Sequence, residues 1–223
     1  MLKNIWKRIG KMAISEEKDR LLCAVLAHES ILCRKAYDEF FDMEFQLATG
    51  GNSVEQIILA HGAFQSFIHH LYEFCIALIQ RNQNSLDQII AVDAEKHIMV
   101  AIEKAWKIER KNPNSYFYKM TETKFYGIYG CFPKHFRQAR NNSAHALIKR
   151  AKSGQSLAEF YSLYRMILKL LFAHLIQWWK NIDIEQTNWH DIGKFNIHEI
   201  AMQDVHDHLV ALGKPGIPGY PKK

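Results

Sequence analysis

Ser53-Val54-Glu55-Gln56 opens the stretch SVEQIILAHGAFQSFIHHLYEFCIALIQ, residues 53–80, and the reading of this stretch decides the fold. A Ser followed three places later by Gln is a capping box, in which side chains and backbone at a helix start satisfy one another's hydrogen bonds. Behind it, Ile57, Phe64, Phe67, Ile68, Leu71, Phe74, Cys75 and Leu78 recur at helical spacing. The stretch predicts a long helix with one apolar face turned to a core.

The same logic extends outward. Before it, Ser15 followed by Glu16 and Glu17 is a helix start with carboxylates at the positive end of the dipole. Leu22, Leu26, Ile31 and Leu32 then continue a helical pattern to about Leu47, and Gly50-Gly51 ends it. After a break at 82–85, a third helix is expected from Leu86 or Asp93 to Lys111, ahead of Asn112-Pro113-Asn114. The aromatic stretch 116–132 reads as a short helix plus loop. Pro133 suits the first turn of another helix, running to about Ser153-Gly154. Ser156-Leu157-Ala158-Glu159 is a second capping box, opening a long apolar helix to about Asn181, and one or two shorter helices follow between Trp189 and Leu212.

Three of the five prolines (Pro215, Pro218, Pro221) lie in the last nine residues, so 213–223 reads as a flexible Gly/Pro tail. The expectation is an all-α protein: an antiparallel helical bundle forming a single helical domain over 1–212, with extra helices at both ends.

Composition narrows the class. With 48% hydrophobic and 12% aromatic residues, the 223-residue chain can bury a real core, which argues against general disorder. Cys23, Cys33, Cys75 and Cys131 form no C-x-x-C pair and read as free thiols of a reducing, cytoplasmic setting. The apolar run Met166–Trp179 is too short to span a bilayer, so no stable membrane insertion is expected. Leu2, Ile5, Trp6 and Ile9 oppose Lys3, Lys7, Arg8 and Lys11, a pattern open to a packed terminal helix or a membrane-surface one.

Charge is concentrated. From Thr123 to Ala158 stand Lys124, Lys134, Arg137, Arg140, Lys149, Arg150 and Lys152 with no acidic residue, and without this window the net charge of +6 becomes −1. A local positive field suits a phosphate-bearing partner.

Inside that window lies Arg140-Asn141-Asn142-Ser143-Ala144-His145. On a helix Arg137, Asn141 and His145 share one stripe, whereas Arg140 sits ~140° round from His145 at ~100° per residue. Internal attack by a ribose 2′-hydroxyl on its phosphate needs a proton acceptor, a proton donor and stabilisation of phosphoryl charge. Histidine titrates near neutrality and serves the first two, arginine offers a fork of donors for the third, and no metal or cofactor is required. Because the substrate supplies the nucleophile, RNA is selected over DNA.

This segment resembles the HEPN family of helical proteins, which includes bacterial toxins and antiviral ribonucleases and carries an Arg, often followed by Asn, a short interval and a His. Arg140-Asn141 and His145 match that form, Ala144-His145-Ala146 is similar to its usual ending, and Phe67-Ile68-His69-His70-Leu71-Tyr72-Glu73-Phe74 looks like the family's second helix. The resemblance covers about residues 53–183. It implies a metal-independent endoribonuclease acting as a toxin or antiphage effector, with Arg140 and His145 catalytic. It also implies a homodimer whose two motifs form one composite cleft, RNA as substrate, and an antitoxin or regulatory protein as partner. Asn141 would position substrate, Arg137, Lys149 and Arg150 would bind flanking phosphates, and Glu73 would orient the Arg or the His.

The alternative is a non-catalytic HEPN-like module that binds RNA, nucleotide or protein through the same face. A divalent-metal site at His190, His198, His206 and His208 with Asp204 and Asp207 lacks a compact ligand spacing and ranks below a solvated polar face.

Overall fold

The computed structural model describes residues 16–50, 53–144, 156–178 and 197–215. All of its regular structure is helical: α1 Glu16–Ala48, α2 Val54–Gln83, α3 Ala91–Glu109, α4 Glu122–Tyr129, α5 Phe132–Ala144, α6 Leu157–Trp178 and α7 Ile197–Ala211. The chain divides into two compact units, residues 1–187 and 188–223.

Both capping boxes form. Ser53 Oγ accepts from Gln56 N–H at 3.1 Å while Gln56 Oε1 accepts from Ser53 N–H at 3.1 Å. Ser156 and Glu159 exchange the equivalent bonds at 3.1 and 2.9 Å. Gly50, at φ +129°, takes the chain out of α1 through backbone space that side chains rarely occupy. Asn84 closes α2 in the left-handed region, and Ser85 N–H reaches back to Gln80 O at 3.0 Å.

In the first unit, α1 and α2 form a long antiparallel pair. Asp19 meets Arg81, Glu29 meets His70 and Phe40 meets Phe64, so numbers rise on one helix as they fall on the other. Helix α6 packs across both: Tyr161 lies against Phe40 and Phe64, while Phe172 lies against Tyr37 and Phe67. Helix α5 crosses the other side of α2, with Phe136 edge-on to Tyr72 at 5.3 Å and Phe132 against Tyr164 of α6. Trp106 of α3 stacks on Phe125 at 4.3 Å, fastening α4.

Since α2 is covered by α1, α5 and α6, its buried set is broader than one stripe and includes Ala60, Phe64, Phe67, Ile68, Leu71, Tyr72, Phe74 and Cys75. One expectation needs correction here. Ile57 is 53% exposed, together with Val54, Ile58 and Leu59, because burial along α2 begins only at Ala60. Helix α1 shares this core: Leu26, Cys33, Ala36 and Phe40 belong to the same buried cluster as Phe67 and Phe172.

The second unit contributes α7, which ends at Gly213, φ +69°, with Gly213 N–H bonded to Val210 O and Lys214 N–H to Leu209 O, the paired bonds of a Schellman stop.

Candidate functional site

Helix α5 places the Arg140 segment. Its buried face, Phe132, Phe136 and Ala139, is spaced four and three residues apart and seats the helix on α2 and α6. Arg137 and Arg140 flank that face and reach to neighbouring helices.

Arg140 Nε donates to Glu73 Oε1 at 2.8 Å, and Nη2 donates to the same oxygen. Nη1 donates to Asn141 Oδ1 at 3.1 Å, and the guanidinium carbon lies 5.8 Å from the centre of the Tyr72 ring. A guanidinium has five N–H groups. Among the described residues these bonds engage three, leaving one on each terminal nitrogen. Both partners are only partly covered, with side-chain exposures of 29% and 26%.

Arg137 behaves similarly, its Nε donating to Glu95 Oε1 of α3 at 2.8 Å. The acid-free window is therefore acid-free only along the chain. Carboxylates of α2 and α3 cross into it and compensate two of its cations, while Lys124 and Lys134 remain exposed.

Glu73 brings a neighbour from the His69-His70 pair, of which the sequence allows one to face the cleft but favours satisfied core or surface histidines. One helical turn earlier on α2 lies His69, which feels both Glu73 and Arg140 electrostatically. Burial, helped by the adjacent His70, lowers its pKa from the ordinary histidine value. The two rings meet edge to face at 5.0 Å, and His70 Nδ1 lies 3.5 Å from Glu29 Oε2 of α1. Among the described residues nothing hydrogen-bonds the His69 ring. The one sequence signal for it was the i, i+4 spacing of His69 and Glu73.

The structure thus brings together Arg140, Asn141 and Glu73, and sets Arg137 three residues away on Glu95. His145, Lys149 and Arg150 lie outside the described residues, as do His190 and the side chains of His198 and Asp204. Among the described residues no group of three His, Cys, Asp or Glu side chains is placed to hold a metal ion, and no helix is long and apolar enough to cross a membrane. No protein-family model, no curated protein and no solved structure matches this chain.

Proposed function

We propose that the α2–α5 seam is the RNA-cleaving site of an endoribonuclease that works without a metal. Arg140 binds the scissile phosphate, Glu73 fixes the guanidinium, and Asn141 steers it or the substrate. His145 serves as general acid or base, and Arg137, Lys149 and Arg150 hold flanking phosphates.

The observation that carries this reading is the way Arg140 is held. Its inner edge is clamped by Glu73 and its flank by Asn141, which leaves one N–H on each terminal nitrogen for a pair of phosphoryl oxygens. A pre-oriented guanidinium loses little freedom when it binds. In the reaction the ribose 2′-oxygen attacks phosphorus, the bond to the 5′-oxygen breaks, and a 2′,3′-cyclic phosphate and a 5′-hydroxyl result. On a continuous helix Arg140 and His145 would stand ~140° apart, a gap that a second copy bridges by contributing the complementary residue, so the active species is a homodimer. A ribonuclease of this type, as a toxin or antiphage effector, is restrained by an antitoxin or regulatory protein.

The test is incubation of the purified protein with a defined RNA in excess chelator, beside His145→Ala and Arg140→Ala. Cyclic-phosphate ends from the native protein alone support the reading. Intact RNA in every reaction overturns it.

A second reading is favoured by a specific observation: both arginines facing the seam are already paired with carboxylates. A non-catalytic module that binds RNA, nucleotide or protein there would show binding lost on Arg140→Ala without any cleavage.

A further inference from the structure

The seam between α2 and α5 holds a second titratable group beside the guanidinium. His69 and Glu73 occupy successive turns of one face of α2, and Glu73 is the residue that grips Arg140. His70, its neighbour, is turned to Glu29 on α1 and serves the α1–α2 interface. His69 is half-buried, carries no hydrogen bond among the described residues, and lies within electrostatic reach of Arg140.

We propose that His69 is the proton acceptor of this site, taking the ribose 2′-hydroxyl proton while Arg140, held by Glu73, carries the attacked phosphate. The assignment rests on the ribonuclease reading above and deepens it by placing base and phosphate ligand within one chain. The oxygen–hydrogen bond of the 2′-hydroxyl breaks as the 2′-oxygen–phosphorus bond forms, and the proton goes to the His69 imidazole. The 5′-oxygen leaves with its electron pair and is protonated by the acid of the proposed mechanism or by water. Release of the proton from His69 to solvent restores the site, with no change in oxidation state.

The surroundings suit a base. The charged and titratable groups that act on His69 electrostatically are His70, which its ring meets edge to face, Glu73 on its own helix, Glu29 on α1 and Arg140 on α5. Burial, the adjacent His70 and the Arg140 cation outweigh the two carboxylates and favour the neutral imidazole, the form that accepts a proton.

The test uses the full-length protein and a defined single-stranded RNA in chelator, with kcat/KM followed across pH 4.5–8 as an order-of-magnitude window around the ordinary histidine value of about 6.5. His69→Gln is expected to lower the rate by about 10²–10⁴-fold. It should also erase the acidic limb of the profile, while His70→Gln keeps both rate and limb. Histidine NMR titration of the native protein supplies a readout independent of any variant's folding: the kinetic limb must coincide with titration of the His69 ring. A His69→Gln protein with native rate and limb overturns the assignment while leaving the ribonuclease reading intact, as does a limb that follows another group. A native protein that cleaves nothing overturns the ribonuclease reading and this assignment with it.

Discussion

At the residue scale, the decisive contact is a single carboxylate oxygen that accepts two N–H groups of Arg140. Glu73→Gln keeps the shape and removes the charge. Because both side chains are partly solvated, the expected loss is about 1–2 kcal/mol, between the values for exposed and buried ion pairs, read from urea unfolding. The same substitution removes a carboxylate that raises the His69 pKa and leaves the Arg140 cation that lowers it, so the His69 NMR titration should move to lower pH. An unmoved titration would show that the two groups do not communicate. His69 also links stability to pH. Its folded pKa is lowered by burial, as is that of His174 through burial and Lys104, so the unfolded chain binds more protons in mild acid. This part of the stability is present above about pH 6.5 and declines as pH falls through the unfolded-state value towards the folded ones. Urea midpoints compared above and below that value should show the decline, and His69→Gln should make it shallower.

At the element scale, the helix starts are set by local chemistry and can be tested locally. In each box a Ser hydroxyl accepts from the N3 backbone and the N3 side chain returns the bond. Ser53→Ala and Ser156→Ala should each cost about 1 kcal/mol in unfolding free energy. The two sites begin different helices, so their double substitution should be close to additive. A negligible effect of either would mean that tertiary packing alone positions that helix. The element whose burial is least plain in the sequence is α1. Its buried residues Leu22, Leu26, Cys33, Ala36 and Phe40 lie three to seven apart, and several are small or sulfur-bearing, so the pattern is weaker than that of α2. Ile31 and Leu32 are only half-buried because the buried stripe runs through Ser30 and Cys33, which turns both of them away from it.

At the scale of the whole molecule, the core of the first unit is an aromatic layer shared by α1, α2, α5 and α6. Phe67 touches Tyr37, Phe40 and Phe172, while Phe132 touches Phe136, Phe160 and Tyr164. Rings of this size leave large voids when truncated, so Phe67→Ala should lower stability by about 3–5 kcal/mol. Leu26→Ala, at a fully buried position of α1, should cost about 2–5 kcal/mol if α1 belongs to the same core, as the packing requires. A cost below about 1 kcal/mol, the scale of a surface change, would mark α1 as an attachment. Both are read by chemical denaturation.

Helix identity and helix starts were legible in the chain itself, because capping, proline placement and 3.6-residue periodicity act over a few residues. Arg140, Asn141 and Glu73 could also be named there, since an unusual polar run and an acid in the apolar middle of a helix stand out without coordinates. What the linear order hid was charge compensation: Glu73 and Glu95 lie far upstream of the arginines they pair with, so a window that looks purely basic is partly neutralised in three dimensions. Which histidine of the His69-His70 pair comes near Arg140 was equally hidden, because that depends on α5 crossing α2 at one particular turn. Local hydrogen bonding and hydrophobic periodicity are written residue by residue. The meeting of an imidazole, a carboxylate and a guanidinium is decided only when separate helices pack and choose which turns touch.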